Sequence, residues 1–104
     1  MANEKKILHL TLNKKWFDLI KDGIKNEEYR EFKDYWHKRL KFSPLNTKPF
    51  DIIEFTNGYN KKSPKLIFEM KGISIGYGLP EWGANERQLY YVILLGNELE
   101  RINC

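Results

Sequence analysis

Lys25, Glu28 and Arg30 are the side chains whose types and spacing best suit chemistry, and they fall within Gly23-Ile24-Lys25-Asn26-Glu27-Glu28-Tyr29-Arg30. The run alternates like a strand, which puts Glu28 and Arg30 on one face and Glu27, Tyr29 and Glu31 on the other. Lys25 joins the first face only if the backbone there is still turning. Gathered at a corner, the three can hold a phosphate, a carbonyl or the edge of a base. In a cleft, Glu28 can serve as a general base toward water or a ribose hydroxyl, or accept from an exocyclic amino group. Lys25 and Arg30 then supply positive charge to a phosphate or a developing oxyanion. Two neighbouring cations blunt a carboxylate as a proton acceptor, so the trio supports binding more readily than catalysis. The plainer alternative is a surface ion-pair network, in which each exposed pair contributes at most ~1 kcal/mol.

The flanking elements must build that corner. Residues 7–12, Ile-Leu-His-Leu-Thr-Leu, alternate and predict a first strand. Asn13 is placed to cap a short helix whose Trp16, Leu19 and Ile20 form a core-facing stripe, and Gly23 ends it in the manner of a left-handed C-terminal residue. A second short helix is predicted over 33–41, with Trp36 and Leu40 inward and a basic outer surface. Residues 42–50, with Pro44 and Pro49, predict a loop. Strands follow over 51–56 and 65–71, the latter continuing through 73–75 past a kink at Gly72, with residues 57–64 as the hairpin loop between them. Residues 76–88 predict a loop, and the apolar run 89–95 a central strand covered on both faces. Helices early and strands late make an α+β domain with a mixed, curled sheet, one of whose openings the first helix plugs.

At 104 residues the chain suits one domain, with 1–6 as a polar tail and 7–102 as the folded unit. Six Phe, six Tyr and three Trp supply an aromatic core. A net charge of +4 and a pI near 9.1 tilt the balance toward an anionic partner such as nucleic acid. A lone cysteine, Cys104, excludes an internal disulfide and fits a reducing compartment. Residues 1–6 do not read as a secretion signal, and the longest apolar run is far too short for a membrane helix, so a soluble, cytoplasmic protein without membrane contact is expected. His9, His37 and Cys104 lack metal-ligand spacing, and His9 reads as a structural residue of the first strand. No metal or cofactor is expected, and no Ser or Cys nucleophile has a plausible base.

Gly23, Lys25, Glu28 and Arg30, directly after a helix and opening a strand, match a motif of glycine, one residue, lysine, two residues, glutamate, one residue, arginine. Further similarity lies in Leu8-His9-Leu10-Thr11-Leu12, Trp16-Phe17, Phe55-Thr56-Asn57-Gly58-Tyr59, Gly78-Leu79-Pro80-Glu81-Trp82-Gly83 and Tyr91-Val92-Ile93. On these residues the chain, from about Ile7 to Ile102, resembles the ASCH domains, relatives of the RNA-binding PUA domains. The resemblance implies a small PUA-like curled mixed β-barrel that binds RNA or a modified nucleotide in a cleft between barrel and helix. It also implies an alternative, since some members are similar to ribonucleases or to amidohydrolases acting on acetylated cytidine. In the amidohydrolase branch a threonine stands three residues after the lysine; here that position is Glu28, which argues against carrying that mechanism over.

The candidate ligand-binding set is therefore Lys25, Glu28, Arg30, Asn57, Tyr59, Lys61, Lys62 and Trp82, with Lys25 and Glu28 catalytic if the protein is a metal-independent hydrolase. Tyr59 beside Lys61, Lys62 and Lys65 suits single-stranded nucleic acid, because a ring stacks on any base while cations follow the backbone. A solvated hairpin tip is the alternative. Lys33, Lys38, Arg39 and Lys41 either extend that surface or solubilise a helix. Trp82 is either a lid over the cleft or a core plug, whereas Trp16 and Trp36 read as core. A third reading is a protein-interaction or inhibitor module using its basic face against an acidic protein.

Overall fold

In the computed structural model, which describes residues 5–43, 46–47 and 50–104, Asn13 caps the first helix as its position predicts: its side-chain oxygen accepts from Trp16 N at 3.2 Å. The helix, α1 (Lys14–Lys21), follows strand β1 (Ile7–Leu12) and precedes β2 (Glu27–Glu31). Next come α2 (Asp34–Leu40), a short ladder of β3 (Lys41–Ser43) with β4 (Asn46–Thr47), then β5 (Ile52–Asn57), β6 (Lys65–Tyr77) and β7 (Leu89–Ile102). The β3–β4 ladder replaces the loop expected over 42–50; Pro44 and Pro49 lie outside the described residues. Among the described residues no helix is long and apolar enough to cross a membrane.

Five strands form one mixed sheet in the order β1-β5-β6-β7-β2, with β1 parallel to β5 and the other pairs antiparallel. The expected barrel is not closed: β1 and β2 are the two edges and share no ladder. In a flat sheet those edges would lie about 19 Å apart, four strand spacings. Yet the Arg30 side chain on β2 reaches the Thr11 carbonyl on β1 at 3.1 Å, so the sheet is curled until a single side chain spans the gap. Register shifts in the β6–β7 ladder between Ile67 and Gly72 supply bends of the kind that curl a sheet.

The core fills the concave side. Leu8, Leu10 and Leu12 from β1, Phe17 and Ile20 from α1, Leu40 from α2, Ile53 and Phe55 from β5, and Tyr91, Ile93 and Leu95 from β7 form one buried cluster. Tyr90 and Val92 pack on the opposite face with Ala84, Tyr29 and Leu94, so the first half of β7 is covered on both sides, as its unbroken apolar run predicts. Beyond Leu95 the strand continues seven residues further than that run suggests. Its exposed, charged second half is held by pairing with the start of β6, where Lys65 stands opposite Ile102.

Candidate nucleotide-binding seam

The corner between α1 and β2 builds the site. Gly23 adopts φ +75°, a conformation open chiefly to glycine, and the amides of Ile24 and Lys25 both donate to the Leu19 carbonyl at 3.0 Å. The chain is thus still wrapping around the helix end at Lys25, which turns this lysine inward until it is 1% exposed. Its ammonium donates to Glu28 Oε1 at 2.8 Å and to the Glu27 carbonyl. The Trp16 and Tyr29 ring centroids lie 5.8 and 5.3 Å away. Burial pulls the Lys25 pKa below its ordinary value, and the adjacent Glu28 charge opposes that shift.

Glu28 is the hub. Oε1 also accepts the Tyr29 amide at 3.1 Å, and Oε2 accepts Arg30 Nη2 at 2.9 Å. The same Nη2 donates to Thr11 across the gap, and the guanidinium carbon lies 5.0 Å from the Trp36 ring centroid. Arg30 Nε, however, is buried and has no hydrogen-bond partner. A buried donor in that state costs on the order of 1–3 kcal/mol, which the bonds that Arg30 makes to Glu28 and Thr11 must offset.

Two clefts open along the unclosed seam between β1 and β2, one on either side of this arginine. The larger, about 470 Å³, is walled by Trp16, Trp36, Trp82 and Tyr90, with Glu28, Arg30, Asn13, Asn85 and Gln88 supplying polar atoms. Its size is that of a small-molecule site. The smaller, about 260 Å³, is lined by His9, Leu10, Tyr35, Arg39 and Tyr59. Thr11, Arg30 and Trp36 belong to both. Trp82 ends a 3-10 turn over Pro80–Trp82 that Gly83 closes with φ +102°; a Cβ at Gly83 would stand 2.9 Å from the Trp16 ring. Only glycine lets the turn come this close to the Trp16 indole.

The structure brings together part of the sequence-predicted set. Glu28, Arg30 and Trp82 line the larger cleft, Trp82 as a wall, and Tyr59 lines the smaller. Lys25 lies beneath, positioning Glu28 from inside the fold. Asn57, paired with Leu12 at the end of β5, lines neither cleft, and Lys61 and Lys62 are exposed on the hairpin that presents Tyr59. Sequence reasoning missed the double role of Trp16 and Trp36, which pack against the core with one part and wall the cleft with another. Their helical spacing signalled only the first. Asn13 was legible as a cap, while Asn85 and Gln88 carried no signal in their loop. His9 pairs with Glu54 Oε2 at 2.5 Å, as a satisfied strand residue would, though it is exposed and borders the smaller cleft. Among the described residues no group of three or more His, Cys, Asp or Glu side chains could hold a metal ion.

Tyr29 ties the site to its outer loop. Its hydroxyl accepts the Leu79 amide at 3.0 Å and donates to Glu27 Oε2 at 2.8 Å, and burial pushes its pKa from 10 up to about 12. A phenol that holds its proton longer when folded gives stability that is complete below pH 10 and lost as pH rises toward about 12. Allowing for partial solvent exposure, the loss is about 1–2 kcal/mol. Lys25, with its pKa lowered, acts in the opposite sense as pH approaches its ordinary value. Urea melts across that alkaline range are expected to show the decline in the wild type and a shallower one in Tyr29→Phe, the remainder coming from Tyr91, whose pKa burial also raises; equal slopes refute the assignment.

No protein-family model, curated protein or solved structure matches the chain.

Proposed function

We propose that the seam binds a nucleotide, either a modified free nucleotide or one residue of single-stranded RNA, with the base among Trp16, Trp36 and Trp82. The observation that carries this reading is a largely polar cleft of small-molecule size that the Arg30 guanidinium lines together with the Trp16, Trp36 and Trp82 indoles. A base offers a flat π face to the indoles and ring-nitrogen or carbonyl acceptors to the arginine. Asn13, Asn85 and Gln88 add donors and acceptors suited to its other edges. The same features support an ASCH-type, PUA-like ancestry, in which a helix, a glycine turn and the Lys25, Glu28, Arg30 corner open an edge strand. An exposed, free Cys104 suits a reducing setting such as the cytoplasm.

A hydrolytic role for Glu28 has weaker support. Its carboxylate already accepts from Lys25, Tyr29 and Arg30, which leaves little capacity to take a proton from water or a ribose hydroxyl. The test is titration of a fluorescently labelled single-stranded RNA. Affinity is expected to fall about sevenfold on a fourfold rise in salt, the slope of a single strand held through about two phosphates. Absence of binding at low salt, both of this RNA and of nucleoside monophosphates, overturns the proposal.

A further inference from the structure

We infer that the smaller cleft is a second subsite, which takes the phosphate and base adjoining the nucleotide in the larger cleft, so that the ligand is a strand of at least two nucleotides. This rests on the reading above. The larger cleft alone would serve a free nucleotide equally well, and the distinction comes from what lies beyond Arg30.

Arg39 is exposed on α2, and its guanidinium lies 5.4 Å from the Trp36 ring centroid and 5.6 Å from that of Tyr35. Its hydrogen bond goes to the Tyr35 hydroxyl at 3.1 Å, and among the described residues no carboxylate pairs with it. An arginine stacked on rings and free of an acid is prepared for a phosphate, which its fork grips with two parallel donors. Arg30 lines both clefts and so brings a second guanidinium within reach of the same strand.

Tyr59 completes the subsite. It is 94% exposed, the most exposed of the large hydrophobic side chains in the described fold, and it stands on a hairpin whose turn backbone is tied together. Ser63 Oγ accepts the Asn60 amide at 2.9 Å, Asn60 Oδ1 accepts the Lys62 amide at 3.1 Å, and Gly58 turns the chain at φ +90°. A ring held out beside an aromatic groove, with Lys61 and Lys62 following it, offers a stacking platform for a base and charge for its phosphate. A free mononucleotide would leave this half of the seam empty.

The experiment compares nucleoside 5′-monophosphates AMP and UMP with the hexaribonucleotides of A and of U, on the wild type, on Arg39→Ala/Tyr59→Ala and on Tyr59→Phe. Both positions are exposed, so the variants keep the fold, which circular dichroism checks. The wild type is expected to bind a hexamer at least about tenfold more tightly than its monophosphate. The double variant should bring that ratio close to one, and Tyr59→Phe, which keeps the ring, should preserve it. A ratio near one in the wild type, or a ratio unchanged in the double variant, overturns the second subsite while leaving monophosphate binding in place. Binding of neither probe overturns the nucleotide reading itself and this inference with it.

Discussion

Replacing Lys25 by methionine is expected to cost about 3–5 kcal/mol of folding free energy, a large share of what a domain of this size has. The reason is the carboxylate left behind. Glu28 is 6% exposed, and without the ammonium it keeps only Arg30 and the Tyr29 amide against a heavy loss of hydration. Methionine fills nearly the same volume, so the cost reports charge rather than a cavity. Adding Glu28→Gln to Lys25→Met removes the stranded charge and is expected to recover much of the loss, making the two changes strongly non-additive. Urea denaturation of both singles and the double measures that coupling. A single-variant cost below about 1 kcal/mol would mean the pair behaves as an exposed one and positions nothing.

The second large effect is on binding. Arg30→Lys keeps the charge and can still pair with Glu28, so the fold should survive. An ammonium cannot, however, spread its charge over the Trp36 ring while bridging Glu28 and Thr11, as the planar guanidinium does. Affinity for labelled single-stranded RNA is expected to fall about tenfold, equivalent to ~1.4 kcal/mol. An affinity within twofold of the wild type would show that Arg30 contributes charge alone.

The corner itself was legible because its signals are local. Asn13 and Gly23 mark the helix ends, the alternation in 27–31 sorts side chains between faces, and the condition on Lys25 is met by two amides sharing the Leu19 carbonyl. What was not legible depends on distant pairing. The second half of β7 is polar, and only its ladder with β6 makes it a strand. The open seam follows from where β1 and β2 come to rest after three other strands have intervened, which no local pattern encodes. The meeting of Tyr59 with Arg39 joins a hairpin tip to a helix about twenty residues earlier in the chain. Periodicity places the two tryptophans against the core, because it reports which way a residue faces, not whether its far edge meets a cavity.

A sheet closed by backbone ladders resists intrusion, since a guest must break several hydrogen bonds at once. Here, among the described residues, the hydrogen bond joining the two edges comes from one guanidinium, that of Arg30. The width of the opening therefore hangs on one side chain, and shortening it would let the protein's perimeter part.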